Sequence, residues 1–137
     1  MIYLGFDPGQ QKCGVAVMDD DRQLYHHAVV STEDSLSEIL MLCDRYKVEH
    51  LIMGDQTAAK TWYDRLKTTF PQLPLTLVDE RNSSLEARER YWEMYPPRGL
   101  DRLIPKGLRQ PEGPIDGIVA ILLIERYWQG QISRRRF

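Results

Sequence analysis

Residues 1–19, MIYLGFDPGQQKCGVAVMD, decide the fold class of this chain. They contain two runs rich in apolar residues, 2–7 and 13–18, separated by a short turn that includes Pro-Gly. Runs of this length, bounded by turn residues, are typical of two β-strands joined in a hairpin. The first run ends at Asp7, so the pattern places a carboxylate at the end of a buried strand. A charge there is costly unless something compensates it, and a bound metal ion is one common compensation.

Strands and helices alternate along the rest of the chain. Residues 24–30 predict a third strand, which completes an antiparallel meander, and Ser31 and Thr32 can cap a helix after it. Ser83, with Glu86 three residues later, predicts a capping box. We further predict strands at 50–54 and 75–80, helices at 60–70, from 83 through 92 and at 115–128, and a Pro- and Gly-rich loop at 95–114. This order indicates an α/β fold, a mixed sheet with helices on both faces.

Length and composition are typical of one globular domain. The 137 residues are 42% apolar and 28% charged, and we expect a single domain over 1–137 with a flexible basic tail at 130–137. The formal net charge of −2 gives no overall attraction to nucleic acid, so any such binding must come from local patches. The two cysteines lack metal-ligand spacing and are interpreted as buried free thiols. Neither a signal peptide nor a membrane span is indicated, so we expect a cytoplasmic location.

Two further acids stand at the edges of predicted elements. Glu80 ends the strand 75–80, and its neighbour Asp79 should point to the opposite side, because side chains alternate along a strand. Only one of them should therefore share a site with Asp7, and the other would pair with Arg81 or cap the next turn. Asp116 opens the last helix. If the apolar stripe of that helix packs on the sheet, the Asp116 carboxylate points the same way.

Each acid also has an ordinary structural explanation. Asp before Pro-Gly initiates turns, a strand end can carry a solvated acid, and Asp in the first turn of a helix favourably meets the helix dipole. For Asp116 alone the last explanation is the stronger one. Together the three acids suggest a metal-dependent phosphodiester site. Hard cations such as Mg²⁺ prefer oxygen ligands, and two ions about 3.5–4 Å apart can hold the attacking water and the leaving oxygen at phosphorus.

Basic residues are concentrated in the predicted loop and at the end of the chain. Between residues 98 and 109 the loop contains Arg98, Arg102, Lys106 and Arg109 against one acid, Asp101, and residues 134–136 are all arginines. Clustered cations near an acidic metal centre could hold a polyanionic backbone. Solubilising surface charge explains the loop equally well, and it explains the tail rather better.

Four blocks of sequence resemble the YqgF/RuvX family of RNase H-like nucleases. They are FDPG at 6–9 with GVAV at 14–17, LIMG at 51–54, VDERNSS at 78–84 and PIDGIVAILL at 114–123. The resemblance covers nearly the whole chain. It implies an RNase H-like fold, in which a five-stranded mixed sheet begins with the three-stranded antiparallel meander and is flanked by helices.

The resemblance also implies a two-metal nuclease that uses Mg²⁺ or Mn²⁺. The family is described both as a Holliday junction resolvase and as a nuclease that matures the 5′ end of pre-16S ribosomal RNA. By position, Asp7, Glu80 and Asp116 would be the catalytic and metal-binding acids, with Asp7 bridging the metals and Asp79 facing away. RuvC-type resolvases carry a further Asp one turn along the last helix; Val119 stands there in this chain, so three acids are expected.

The clustered basic residues are interpreted as contacts to the substrate. Arg81, together with the loop residues Arg98, Arg102, Lys106 and Arg109, would position its phosphates. The partner would be nucleic acid, either a structured RNA precursor or branched DNA, and the protein a monomer or a homodimer.

Two other functions fit parts of the pattern. A non-catalytic RNase H-like domain would bind RNA or a ribosomal assembly partner without metal-dependent turnover. An actin-like sugar kinase or ATPase would use the turn after Asp7 as a phosphate-binding hairpin. Those enzymes need two lobes around the nucleotide, and this chain has length for one.

Overall fold

A computed structural model describes residues 1–56, 58–95 and 116–135, with only the backbone of Ser84 and Asp116. The strands are β1 (Ile2–Asp7), β2 (Lys12–Asp19), β3 (Leu24–Ser31), β4 (His50–Gly54) and β5 (Leu75–Val78). The helices are α1 (Ser35–Tyr46), α2 (Ala59–Thr69), α3 (Ser83–Met94) and α4 (Asp116–Trp128), and a 3-10 turn at Thr32–Asp34 precedes α1.

The five strands form one mixed sheet in the order β3-β2-β1-β4-β5. Short turns make β1, β2 and β3 an antiparallel meander, whereas β4 and β5 run parallel to β1 because a helix precedes each of them. This confirms the predicted five-stranded mixed sheet with the meander first. Phe6 is in register with Met53, and Met53 with Leu77, so β1, β4 and β5 end at the same edge.

Helices cover both faces of the sheet, as the alternation of the strand side chains requires. On one face Leu4 and Phe6 of β1 pack with α1 and α2. On the other face Tyr3 packs with α3 and α4. Gly5 allows α4 to approach closely, because an added Cβ there would collide with the Ala120 carbonyl oxygen and lie 2.9 Å from Ile124 Cγ1. Both cysteines are free, with Cys13 buried and Cys43 partly buried, as the sequence indicates.

The sheet edge differs from the prediction at the end of β5. The predicted strand 75–80 ends at Val78, because the pairing with β4 ends there. The next backbone N–H, that of Asp79, donates to the Gln131 carbonyl at 3.3 Å, and the N–H of Glu80 donates to the Asp55 carboxylate at 3.4 Å. Asp79 and Glu80 therefore follow the strand instead of belonging to it.

The predicted capping box at the start of α3 is wrong. The residue before the helix is Asn82, in the left-handed region at φ 61°, and its side chain makes no capping hydrogen bond. Ser83 is the first residue inside the helix. Glu86 does not reach back to it, because its carboxylate lies 3.0 Å from the Arg126 guanidinium of α4. An ion pair between helices thus takes the place of the local cap.

Residues 131–133 return along the free edge of β5. Ile132 forms an antiparallel bridge with Val78, and the Ser133 N–H donates to the Leu77 carbonyl at 2.9 Å. Sequence reasoning assigned this segment to a tail and did not anticipate these contacts. The predicted loop at 95–114 lies outside the described residues, apart from Tyr95. Within the described ranges, no helix has the length and apolar character to cross a membrane.

Candidate active site

The candidate site lies at the edge where β1, β4 and β5 end. Asp7 is the last residue of β1, Gly54 the last of β4, and Glu80 follows β5 by two residues. Parallel strands in register bring their carboxyl ends to one edge. Asp7 and Glu80 are 73 positions apart in the sequence, and the strand pairing brings them to the same edge.

Glu80 is buried although glutamate is normally a charged, exposed residue. Only 8% of its surface is exposed, and the backbone N–H of Gln56 donates to Glu80 Oε1 at 2.9 Å. Gly54 leaves the space that the carboxyl group fills, since a Cβ at that position would lie 2.5 Å from Glu80 Oε2 and 2.6 Å from Cδ. The end of β4 thus forms a close-fitting support for this one carboxyl group.

The Asp7 carboxyl group lies close enough to Glu80 to lower the pKa of Glu80 as a hydrogen-bonding neighbour. Burial raises the pKa of Glu80, and the charge of Asp55 also raises it, while the hydrogen bonds from Asp7 and Gln56 and the charge of Arg126 lower it. Burial is the largest of these effects, so the Glu80 carboxyl group holds its proton more readily than an exposed glutamate does. A divalent cation could replace that proton.

The Asp79 side chain is engaged by its neighbour Arg81. The Arg81 guanidinium donates to both Asp79 carboxylate oxygens, with Nε and Nη2 at 3.0 and 2.9 Å from Oδ2. These hydrogen bonds lower the pKa of Asp79. Arg81 itself remains 80% exposed at the rim of the site. Asp79 Oδ1 also accepts the Arg81 backbone N–H at 3.0 Å, so both predicted alternatives, pairing with Arg81 and capping the turn, are present.

Asp116 begins α4, and the structure describes its backbone only. The next residue, Gly117, lies against the backbone of Ala28 in β3, where an added Cβ would be 3.1 Å from the Ala28 oxygen. Ala28 is in register with Val15, and Val15 with Phe6. The start of α4 is therefore level with the last residues of β1, two strands away across the sheet.

The pair of carboxyl groups suits a hard divalent cation, because Mg²⁺ and Mn²⁺ prefer oxygen ligands. Among the described side chains no group of three or more His, Cys, Asp or Glu residues could hold a metal ion. Asp7 and Glu80 are two of the three predicted ligands. The substrate-binding residues predicted in the loop, namely Arg98, Arg102, Lys106 and Arg109, lie outside the described residues.

Several residues that support Glu80 were missed by sequence reasoning. Asp55 is only 9% exposed; its Oδ1 accepts the Glu80 N–H, and its Oδ2 accepts the Ser133 hydroxyl at 2.7 Å. Arg135 Nη1 donates to the Asp55 carbonyl at 2.6 Å. Asp55 could have been predicted as a site residue, because it is an acid that directly follows the strand 50–54. No local pattern points to Ser133 or Arg135, because each meets Asp55 from nearly 80 residues away.

Arg126 is the second missed support. Its side chain is 6% exposed, and Nη1 donates to the Asp79 carbonyl at 2.6 Å while Nη2 pairs with Glu86. This guanidinium therefore joins α4 to α3 and to the peptide that precedes Glu80. An arginine on an apolar helix is the only trace of this role in the sequence.

The strand order, with helices on both faces of the sheet, is that of an RNase H-like fold. RuvC of Thermus thermophilus, 17% identical, matches with a TM-score of 0.59 over 97% of this chain and 99% of that one. The fowlpox virus resolvase, solved with Holliday junction DNA, is 14% identical and matches with a TM-score of 0.61 over 95% and 98%. At these identities the likeness shows the fold alone.

The chain belongs to the RuvX family, whose sequence model, described as Holliday junction resolvase, matches residues 1–129. A relative from Coxiella burnetii strain CbuK_Q154 is 29% identical, covering 96% of this chain and 94% of its own length. One from strain Dugway 5J108-111 is 28% identical with the same coverage. Both carry the name "Putative pre-16S rRNA nuclease". The family membership inferred from the four sequence blocks is confirmed.

Proposed function

We propose that this protein is a nuclease that hydrolyses phosphodiester bonds in nucleic acid, with divalent cations held by Asp7, Glu80 and Asp116. The observation that carries the proposal is the buried contact between Asp7 and Glu80 at the sheet edge. Burying two carboxyl groups side by side costs free energy of folding. Clusters of this kind are concentrated at functional sites. RuvX family membership supplies the class of reaction.

Some residues of the site would bind the metal ions, and others would orient the Glu80 carboxylate and the phosphates of the substrate. A bound Mg²⁺ or Mn²⁺ pair would supply an activated water and neutralise charge that develops at phosphorus. Asp7, at the end of the central strand of the sheet, would hold the ions together with Glu80 and Asp116. Gln56 keeps one Glu80 oxygen engaged through its backbone N–H, which limits how the carboxylate can turn. Arg81 and the loop residues 98–109 position the phosphates.

For the substrate, we favour a precursor of 16S ribosomal RNA in the cytoplasm. The two Coxiella relatives bear that name and align over 94% of their length. The family description points instead to a four-way DNA junction. A junction presents two symmetric strands, which suits a homodimer, whereas a precursor end presents one cleavage point and suits a monomer. Sedimentation velocity of the protein with each substrate measures whether it binds as a monomer or a homodimer, and so helps to distinguish the two substrates.

The test is cleavage of a ribosomal RNA precursor fragment and of a four-way DNA junction with Mg²⁺, with Mn²⁺ and with EDTA. We expect metal-dependent cutting that falls by at least about 100-fold in Asp7→Asn, Glu80→Gln and Asp116→Asn. Asp44→Asn is the matched control, because that acid is exposed on α1, away from the sheet edge. Binding of either substrate without cutting would contradict the proposal and favour the non-catalytic alternative.

A further inference from the structure

A cleft of about 960 Å³ opens beside the paired carboxyl groups. One wall is the turn after β4 with Asp55 and Gln56, the residues that contact Glu80. Residues of the segment 130–135 also line it. Asp79 and Arg81 complete the lining. The cleft therefore adjoins the residues that hold Glu80 in the candidate active site.

The charge that this cleft offers to a ligand is positive. Its two acids are already engaged, since Asp79 is paired with Arg81 and Asp55 is buried and bonded to Ser133. Arg134 is exposed and makes no hydrogen bond or ion pair with another described residue. Arg135 uses one of its donors for the Asp55 carbonyl and keeps the others. Guanidinium groups are suited to phosphate because their parallel N–H donors match its oxygens.

The wall that carries these arginines is held in place. Gln131, Ile132 and Ser133 make backbone contacts with β5 and with the Asp79 N–H that follows it. Ser133 and Arg135 then anchor the segment to Asp55. The N–H of Glu80 donates to this same Asp55, so the segment that carries the arginines and the candidate catalytic acid are anchored to one residue.

We propose that this cleft binds the phosphate backbone of the nucleic-acid strand on one side of the bond to be cut, through Arg134 and Arg135 with Arg81 at its rim. The inference rests on the proposed nuclease function, since it treats the Asp7–Glu80 edge as the place of cleavage. It assigns the C-terminal segment a role in binding substrate, which a solvated tail would not have.

Fluorescence anisotropy with a labelled 20-nucleotide RNA, and with DNA of the same sequence, measures this binding. The protein carries Asp7→Asn throughout, so that no probe is cut. Arg134→Ala should raise Kd roughly fivefold at moderate salt and reduce the slope of log Kd against log salt by about 0.7, the loss of one phosphate contact on a single strand. Arg134→Lys should restore part of the affinity.

Arg45→Ala is the matched control, because this exposed arginine is on α1 at the opposite end of the sheet. It should leave both Kd and slope unchanged. Equal losses on RNA and DNA support recognition of phosphate, and a loss on RNA alone supports the same cleft with contact to the sugar as well. If Arg134→Ala binds like Arg45→Ala, the cleft is not a phosphate site.

The two proposals fail in different ways. A protein with Asp7 intact that cuts in Mg²⁺, and whose Arg134→Ala variant binds and cuts normally, keeps the nuclease function and loses the cleft. A protein that cuts nothing, but whose nucleic-acid binding depends on Arg134, keeps the cleft and loses the nuclease function.

Discussion

Glu80 depends on a neighbour that has no side chain. Its carboxyl group occupies the space beside Gly54, is fixed by the N–H of Gln56 and touches Asp7. Burial raises the pKa of Glu80, so the degree to which this carboxyl group is enclosed determines how easily it gives up its proton to a cation. At the scale of single residues, the site is therefore sensitive to added volume at Gly54.

Gly54→Ala should displace Glu80 and impair both folding and cleavage. The added Cβ would lie 2.5 Å from Glu80 Oε2, and this overlap must be relieved by movement. We expect a loss of about 1 to 3 kcal/mol in the free energy of unfolding, the usual range for overpacking. Urea unfolding measures the first effect, and metal-dependent cleavage measures the second.

A second background separates this cause from a general strand effect. Glu80→Ala removes all three side-chain atoms that the new Cβ would meet. The stability loss from Gly54→Ala should therefore be smaller in the Glu80→Ala protein than in the parent. Equal losses in both backgrounds would show that the substitution acts through the strand itself.

At the scale of elements, α4 connects the parts that carry the site. Arg90 of α3 makes a two-pronged ion pair with Glu125, at 2.7 and 3.1 Å. The next residue of α4, Arg126, joins Glu86 and the Asp79 carbonyl. Both arginines hold α3 on α4, but only the second also holds the peptide before Glu80. Their effects on catalysis should therefore differ.

Arg126→Met should reduce stability and cleavage together, whereas Arg90→Met should reduce stability alone. Loss of Arg126 leaves the Asp79 carbonyl without a charged donor, and we expect about 2 kcal/mol of destabilisation. Unfolding curves and cleavage rates of both variants, taken well below their melting temperatures, provide the comparison. Equal cleavage rates in the two variants would contradict the role of Arg126 at Glu80.

For the whole molecule, one buried and one half-buried histidine link stability to pH. His50 lies in β4 beside the rings of Tyr3 and Tyr127, and its Nε2 is 2.8 Å from Thr76 Oγ1. Burial lowers the pKa of His50, and burial together with the charge of His26 lowers the pKa of His27. The unfolded chain therefore binds protons at a pH where the folded protein resists them. Stability should fall as the pH drops below the unfolded histidine value, about 6.5.

His50→Gln should make this loss shallower between pH 7 and pH 5. The substituted side chain cannot take up a proton, so one of the two histidine contributions disappears. Urea unfolding at pH 9, 7, 6 and 5 gives the two curves. They should run parallel from pH 9 to 7 and converge below that, and curves that remain parallel to pH 5 would contradict the assignment.

The elements of this fold were predictable because they depend on local patterns. Apolar runs of strand length, helical spacing and turn residues indicate the meander, the later strands and the helices. Asp7 ends β1, and Glu80 follows β5 by two residues. The errors were also local: β5 ends two residues early, and Ser83 does not cap α3. In both places partners from α4 and the C-terminal segment compete successfully with the local preference.

Local patterns of residues are enough to predict the strands, the helices and the acids at or just after their ends. Long-range packing is what brings Asp7 next to Glu80, fits Glu80 into the space beside Gly54, and returns Ser133 and Arg135 to Asp55. The physical reason is the range of the interactions. Backbone preference and hydrophobic periodicity act over a few residues, whereas these contacts join segments brought together by strand pairing and helix packing.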